Sequence, residues 1–209
     1  MKLSPEQFPQ QASALCEVCR LFSEREWCLA TSGNFSVRVG NRHCMITQSG
    51  REKSRLSPAD LMLCDLHGAA VDQQLEPSAE TPLHTCLYRL DSGIGAVLHT
   101  HTVNATVLSR RAGSEVTFAG YEMQKAFAAV VSHEESVNVV VFDNDQDMQA
   151  LARQVGEAWA DGRFTVPGFL IRGHGLTAWG SDIASAQRHV EGFEFLLQCA
   201  WQELLARSP

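Results

Sequence analysis

The stretch Ala96-Val97-Leu98-His99-Thr100-His101 places two histidines at the end of a short apolar run. An apolar run of this length predicts a buried strand, and residues two apart in a strand project from the same face, with Cα atoms about 6 to 7 Å apart. Because zinc–nitrogen bonds are about 2.0 to 2.1 Å long, two imidazoles at this spacing can share one ion. An H-x-H pair also arises among ordinary core or surface histidines, so the pair alone is a weak indication of a metal site.

A third histidine follows a second apolar run. His174 lies in Gly173-His174-Gly175, directly after Phe169-Leu170-Ile171, and a strand end is a position from which a ligand can face the same cavity as His99 and His101. Glu80 stands just before a predicted helix. It could be a fourth ligand, a catalytic carboxylate, or a charge that favours the helix N-terminus, and the residues alone leave these three roles open.

Two turns of small polar residues have the composition of an anion site. Thr31-Ser32-Gly33-Asn34 and Gln48-Ser49-Gly50 combine hydroxyl groups, glycine and backbone amides, which together can hold a phosphate. Ser78 adds a hydroxyl near a helix start, and Lys53 could supply a positive charge or simply be solvated. The same residue types dominate ordinary turns, so each turn taken separately also fits a purely conformational role.

The remaining pattern predicts one α/β domain over residues 1–209, with helices packed around a sheet. A helix is predicted to start at Ser4, because Ser4 as N-cap with Gln7 three residues later is a capping-box arrangement and Pro5 occupies the first helical position. Further helices are predicted over 57–60, 81–89, 104–110, 122–127, 148–159 and 182–204, with Asp143, Asn144 and Asp145 as candidate caps. Strands are predicted over 35–39, 45–47, 61–64, 96–99, 137–142 and 169–171.

Composition narrows the class of protein. The 209 residues are 44% hydrophobic and carry a net charge of −7, which disfavours a nucleic-acid partner because phosphate backbones are bound through clustered Lys and Arg. No apolar stretch has the length of a membrane span or a signal peptide, so we expect no membrane partner and a cytoplasmic location. The seven scattered cysteines suit reduced thiols, and Cys16 and Cys19 are predicted to pack inside the first helix.

Taken together, these segments resemble the class II aldolase and adducin head family over roughly residues 10–205. The marks of the resemblance are 31–38, 46–50, 77–81, 96–101 and 173–175, in that order. The resemblance implies a central, mainly antiparallel sheet flanked by helices, one Zn²⁺ per subunit bound by His99, His101 and His174, and a symmetric homotetramer with active sites near subunit boundaries. It also implies that Gly33, Asn34, Ser49, Gly50, Lys53 and Ser78 bind a substrate phosphate. Ala79 departs from the family pattern, in which many members have serine, and this puts one phosphate contact in doubt.

Three further segments, 120–125, 142–147 and 170–180, resemble the branch of the family that removes water from a methylthio-substituted ketose phosphate in methionine salvage. This resemblance implies a zinc-dependent lyase with Glu122 as the acid/base residue, while Glu80 or a water on the metal could share the proton transfers. A class II aldolase or 4-epimerase acting on another ketose phosphate is the alternative enzyme. A non-catalytic, adducin-like interaction module is a third reading, which the histidine triad disfavours because such a module needs no metal ligands.

Overall fold

The computed structural model describes residues 3–207, so residues 1–2 and 208–209 of the predicted domain lie outside the described chain. The described residues form a single α/β domain around one eight-stranded sheet. The strands are β1 (Asn34–Val39), β2 (His43–Thr47), β3 (Leu61–Asp65), β4 (Ala96–Thr100), β5 (Glu115–Phe118), β6 (Val137–Phe142), β7 (Gly168–Ile171) and β8 (Gly175–Gly180). The helices are α1 (Pro9–Glu24), α2 (Thr81–Leu90), α3 (Val103–Arg111), α4 (Met148–Ala160) and α5 (Ile183–Arg207).

The sheet has the strand order β3-β2-β1-β4-β8-β7-β6-β5. The pair β6–β7 is parallel and the other strand pairs of the described chain are antiparallel, which confirms the expected mainly antiparallel sheet. Helices α1, α3 and α5 cover one face, and α2 and α4 cover the other. Because side chains alternate along β4, Leu98 packs toward α5 whereas Val97 packs toward α2, and His99 projects on the α2 side.

The structure corrects the predicted start of the first helix. Ser4 precedes only a short 3₁₀ helix, Pro5–Gln7, and α1 begins separately at Pro9. Inside a continuous helix Pro9 would lack an amide hydrogen and would clash with the carbonyl one turn earlier, whereas at the first position of a new helix it is tolerated. Cys16 and Cys19 are both buried in α1, which confirms their predicted packing role.

Other boundaries also differ from the sequence predictions. The helix predicted over 122–127 is a 3₁₀ helix, Glu122–Ala126, and the helix predicted over 57–60 is likewise a 3₁₀ helix, Pro58–Asp60. The cap of α4 is Asp147, whose carboxylate accepts hydrogen bonds from two helix amides, and not the acidic run at 143–145. Strands β5 and β8 were not predicted; β5 is only four residues long, and β8 begins and ends in glycine, which single-sequence patterns assign to turns.

Strand β8 lies between β4 and β7 and follows His174 immediately. A Cβ atom added to Gly175 would lie 2.0 Å from the backbone oxygen of Thr100, so glycine is required for β8 to approach β4.

None of the helices in residues 3–207 is both long enough and apolar enough to cross a membrane.

Because the Thr100 backbone leaves no room for a Cβ at position 175, we expect Gly175→Ala to force β8 away from β4. The free energy of unfolding should fall by about 1 to 3 kcal/mol, the usual cost of overpacking. Metal content should fall as well, because the backbone next to the histidines has to move. Gly113→Ala is the matched control, since a Cβ there meets no atom within 4 Å. Chemical denaturation and elemental analysis of both variants check this, and a Gly175→Ala protein as stable as the control would contradict the account.

Candidate metal centre and substrate cavity

Four side chains that the sequence analysis selected converge in the structure. One ligand atom from each of Glu80, His99, His101 and His174 lies within 4.8 Å of the others. The Nε2 atoms of His99 and His174 lie 2.8 Å and 3.0 Å from Nε2 of His101. The two carboxylate oxygens of Glu80 lie 3.2 Å from Nε2 of His99 and 3.0 Å from Nε2 of His174.

Strand register explains why the three histidines meet. Thr100 at the end of β4 pairs with Leu176 of β8, two residues after His174, so the β7–β8 turn lies beside the end of β4. A parallel bridge from Cys28 and a 2.8 Å hydrogen bond from the His101 amide to the Trp27 carbonyl hold His101 beyond the strand end. Neighbouring positions at one end of the sheet therefore carry all three imidazoles.

Electrostatics keeps the four groups available as ligands. Burial alone would raise the pKa of Glu80, but the facing His99 and His174 and a hydrogen bond from Asn34 outweigh it and hold that pKa well below its usual range. Burial and the neighbouring imidazoles lower the pKa of His101 to about 3, and burial lowers the pKa of His99. Near neutral pH the cluster thus combines an ionised Glu80 carboxylate with uncharged His99 and His101 rings.

The outer ring nitrogens have partners of their own. Nδ1 of His99 lies 3.0 Å from Oγ1 of Thr177, and Nδ1 of His174 lies 3.4 Å from Oδ1 of Asn144, an oxygen that can only accept. A proton on Nδ1 of His174 leaves the lone pair of its Nε2 directed into the cluster, as metal-ligating histidines require.

This donor set fits a divalent cation. In a tetrahedral zinc site, bonds of about 2.0 to 2.1 Å place neighbouring ligand atoms about 3.3 Å apart, close to the spacing of the four atoms here. Three imidazole lone pairs and a carboxylate at 2.8 to 3.2 Å would repel one another without a shared cation or proton. We conclude that Glu80, His99, His101 and His174 could hold a metal ion.

The three segments predicted to bind phosphate are adjacent in the structure. The buried Lys53 ammonium donates hydrogen bonds to the carbonyls of Thr31 in the first turn and Arg51 beside the second. A bridge between Gln48 and Pro77 brings Ser49 and Gly50 to the Pro77-Ser78 segment. Gly33 and Gly50 have positive φ values of 74° and 70°, which glycine adopts readily.

Individual members of the predicted phosphate set differ in their surroundings. Ser49 and Gly50 are exposed, whereas Asn34 is buried and its Nδ2 donates to Glu80 at 2.8 Å. The hydroxyl of Ser78 accepts a 3.4 Å hydrogen bond from the Glu80 amide. Asn34 and Ser78 therefore contact Glu80 of the histidine–carboxylate cluster, a relation that the turn pattern did not predict.

A cavity of about 430 Å³ opens in front of the cluster. Its walls include the cluster residues Glu80, His101 and His174, together with Asn144 and Met148. His99 is almost fully buried, so a small ligand would reach the cluster from the side of His101 and His174.

Glu122 is not brought to this cavity within one chain. It lies on the 3₁₀ helix after β5, the edge strand that three strands separate from β4. Its side chain is 72% exposed, and its carboxylate pairs with Lys125 at 2.7 Å and with His133 at 3.4 Å. A hydrogen bond from Lys125 lowers the pKa of Glu122, so the group is an accessible, ionised carboxylate.

Sequence reasoning missed Asn144 and Thr177 as partners of the histidines. The sequence did hold a signal for Asn144, because Asn144 follows strand β6 and His174 follows β7. Parallel neighbouring strands end at the same edge of a sheet, which places the two residues close together. Thr177 belongs to the unpredicted β8, where it pairs with His99 across the antiparallel ladder.

Comparison with known proteins agrees with this geometry. The sequence profile described as Class II Aldolase and Adducin N-terminal domain matches residues 13–201, so the chain belongs to that family. Among its relatives, a methylthioribulose-1-phosphate dehydratase from Pectobacterium atrosepticum is 50% identical over 200 residues, which cover 95% of this chain and 97% of that protein. The protein of the same name from Serratia proteamaculans is 48% identical over 95% of this chain and 98% of its own length.

A solved structure gives the same fold. The L-fuculose-1-phosphate aldolase of Thermus thermophilus superposes with a TM-score of 0.76 and 27% identity, covering 95% of this chain and 97% of the aldolase. The class of protein is therefore fixed by fold and sequence together, and the named relatives with about half of their residues in common are dehydratases.

Proposed function

We propose that this protein removes water from 5-methylthioribulose 1-phosphate to give 2,3-diketo-5-methylthiopentyl 1-phosphate, a step of methionine salvage. The observation that carries the proposal is the cluster of Glu80, His99, His101 and His174 at an open cavity, in a chain 50% identical to a protein named for that reaction. The chemistry requires stabilisation of negative charge at the C2 oxygen, a base for the C3 proton and an acid for the departing C4 hydroxyl.

The metal is proposed to be zinc, one ion per chain. Imidazole nitrogens in the majority, with one carboxylate, are a donor set that zinc accepts readily. When bound, the ion would supply Lewis-acid stabilisation of the negative charge that develops on the substrate. A Schiff-base route has little support, since the buried Lys53 already donates to two carbonyls and Lys125 pairs with Glu122.

The substrate phosphate is proposed to bind at Gly33, Asn34, Ser49, Gly50, Lys53 and Ser78. Lys53 supports this because the residue is buried, 2% exposed, and its ammonium lies between the two turns and contributes a charge beside them. The exposed Ser49 and Gly50 present a hydroxyl and backbone amides at the rim of that region.

We expect Ser49→Asp to raise KM by at least about tenfold, because a second negative charge beside a bound phosphate costs several kcal/mol. The value of kcat should change much less, since the phosphate is remote from the reacting carbons. Ser92→Asp is the matched control, because Ser92 and Gly93 form another exposed Ser-Gly turn. Steady-state kinetics of both variants decide the matter, and an unchanged KM for Ser49→Asp would put the phosphate elsewhere.

Two carboxylates are proposed to handle the protons. Glu80 lines the cavity, so it is proposed to share in proton transfer with a substrate bound there. Glu122 is proposed as the principal acid/base group that takes the C3 proton and returns it to the C4 hydroxyl. Because Glu122 lies outside the cavity of its own chain, this role requires that a neighbouring copy present it.

A homotetramer with sites near subunit boundaries would meet that requirement, and we propose this assembly with a small phosphorylated ketose as the ligand. The seven cysteines are free thiols, six of them buried, which supports a reducing compartment such as the cytoplasm.

An aldolase or 4-epimerase acting on another ketose phosphate is the second candidate. It is favoured by the Thermus thermophilus likeness, whose printed name is an aldolase. The products separate the alternatives, because an aldolase releases two fragments, an epimerase keeps the mass of its substrate, and a dehydratase loses one water.

A further inference from the structure

A continuous line of buried polar side chains runs from Glu80 into the interior between α2 and β1. Nδ2 of Asn34 lies 2.8 Å from Glu80, and Oδ1 of the same amide lies 2.5 Å from Nε2 of His84. Nδ1 of His84 lies 2.7 Å from Oγ of Ser36, which in turn lies 2.8 Å from the Tyr88 hydroxyl. His84, Ser36 and Tyr88 are each at most 2% exposed, and the proposed chemistry assigns them no part.

The Glu80 carboxylate at one end of this line determines the direction of every hydrogen bond in it. A carboxylate that binds a metal is deprotonated and can only accept, so Asn34 must turn its NH₂ group toward Glu80. The amide oxygen then faces His84 and requires a donor, which makes Nε2 of His84 the protonated nitrogen. Burial lowers the pKa of His84 to about 3, so the ring is neutral, and its Nδ1 must accept from Ser36.

Ser36 and Tyr88, at the end of the line away from Glu80, fit the same direction of hydrogen bonding. Because Ser36 gives its hydrogen to His84, its oxygen is free to accept from Tyr88. Burial raises the pKa of Tyr88, so the phenol keeps its proton. The Arg38 guanidinium lies 4.8 Å from the centre of the Tyr88 ring and donates to the Tyr88 carbonyl, which holds the ring in place.

We infer that Tyr88, Ser36 and His84 are positioning residues, which act through Asn34 to hold the Glu80 carboxylate in the orientation that completes the metal site. The inference rests on the proposed metal site. All donors point toward Glu80, and hydrogen bonds in such a chain polarise one another, so the last donor is strengthened by those behind it. An amide in the middle cannot pass on a proton readily, so the line orients Glu80 and does not conduct protons.

The second contribution of the line is pre-organisation. Without these partners the Glu80 side chain would lose a fixed rotamer, and an ion would have to order it on binding. Outer partners of metal ligands typically change metal affinity by about 10- to 100-fold when removed. The effect should decrease with each additional link between the altered residue and Glu80.

The test measures cobalt(II) affinity and the visible absorption of the cobalt-loaded full-length protein for Ser36→Ala, Tyr88→Phe and a control. We expect Ser36→Ala to weaken binding by about 10- to 100-fold and Tyr88→Phe by about 3- to 10-fold, with altered cobalt spectra in both. Thr85→Val is the matched control, because Thr85 is a buried hydroxyl on the same helix whose hydrogen bonds go only to carbonyls of its own turn. Its affinity and spectrum should equal those of the wild type.

Thermal unfolding of the metal-free proteins separates positioning from stability. Tyr88→Phe and Thr85→Val each remove one buried hydroxyl donor and should lose similar stability, whereas Ser36→Ala breaks two hydrogen bonds and should lose more. Wild-type affinity and spectrum in both Tyr88→Phe and Ser36→Ala would overturn the inference and leave the metal site standing. If Ser36→Ala fails to fold, Tyr88→Phe alone decides, since it removes one oxygen and keeps the ring. A wild-type protein that binds no cobalt would instead refute the proposed metal site, and the inference with it.

Discussion

The substitution His99→Ala is expected to reduce the metal content from about one ion per chain to less than about a tenth of that, and to abolish turnover. His99 is the most deeply buried of the three histidines, and its Nε2 contacts both His101 and Glu80. Removing the His99 side chain would leave the cation with fewer ligands. It would also remove one of the groups that lower the pKa of Glu80. Elemental analysis of the purified variant measures the loss directly.

The control is His67→Ala, which removes an exposed histidine from the turn after β3. Circular dichroism verifies that both variants remain folded. Full metal occupancy in a folded His99→Ala protein would mean that the ion binds elsewhere and that the cluster is a set of packed core histidines.

Glu122→Gln is expected to keep the fold, the metal and substrate binding while kcat falls by about 100- to 10,000-fold. The amide matches the carboxylate in shape but cannot accept a proton at neutral pH, and Glu122 is exposed, so its replacement should hardly affect stability. Glu134→Gln, a neighbouring exposed position, is the control. Loss of deuterium exchange at C3 in the Glu122 variant would be an independent sign that the base is missing.

Mixing two inactive variants tests whether Glu122 acts across a subunit boundary. Tetramers reassembled from equal amounts of His99→Ala and Glu122→Gln chains should recover about a quarter of the wild-type activity, because a quarter of the shared sites receive both intact residues. A mixture as inactive as its components would place Glu122 and the metal in one chain, whereas a Glu122→Gln protein with wild-type turnover would remove Glu122 from the reaction. In the latter case the proton transfers would fall to Glu80.

The residues of the candidate metal cluster could be selected from the sequence because they depend on local features. His99 and His101 follow an apolar strand at a spacing that fixes their shared face, and His174 follows another strand between two glycines. What the sequence could not give is the register that brings these strand ends together. That register depends on β8, whose two end glycines have the pattern of turn residues. In the structure Gly175 lies against Thr100 of β4, and Gly180 lies against the start of α5.

Burial was equally hard to predict for isolated polar residues. Asn34 and Lys53 occur in segments that read as exposed turns, yet both are buried and satisfied by partners far along the chain. His84 and Tyr88 fit the periodic pattern of an amphipathic helix, and no local signal indicates that they hydrogen bond to β1. Long-range polar contacts of this kind are a property of the fold and not of any one motif.

The proposed reaction is tested most directly by incubating the zinc-loaded protein with 5-methylthioribulose 1-phosphate and following the products by mass spectrometry. The proposal predicts a product lighter than the substrate by one water, formed only by protein that contains metal. Fructose and fuculose phosphates serve as competing substrates and should be left unchanged. Cleavage of any ketose phosphate into two fragments, or a methylthioribulose phosphate whose mass stays constant with the metal bound, would contradict the dehydratase function.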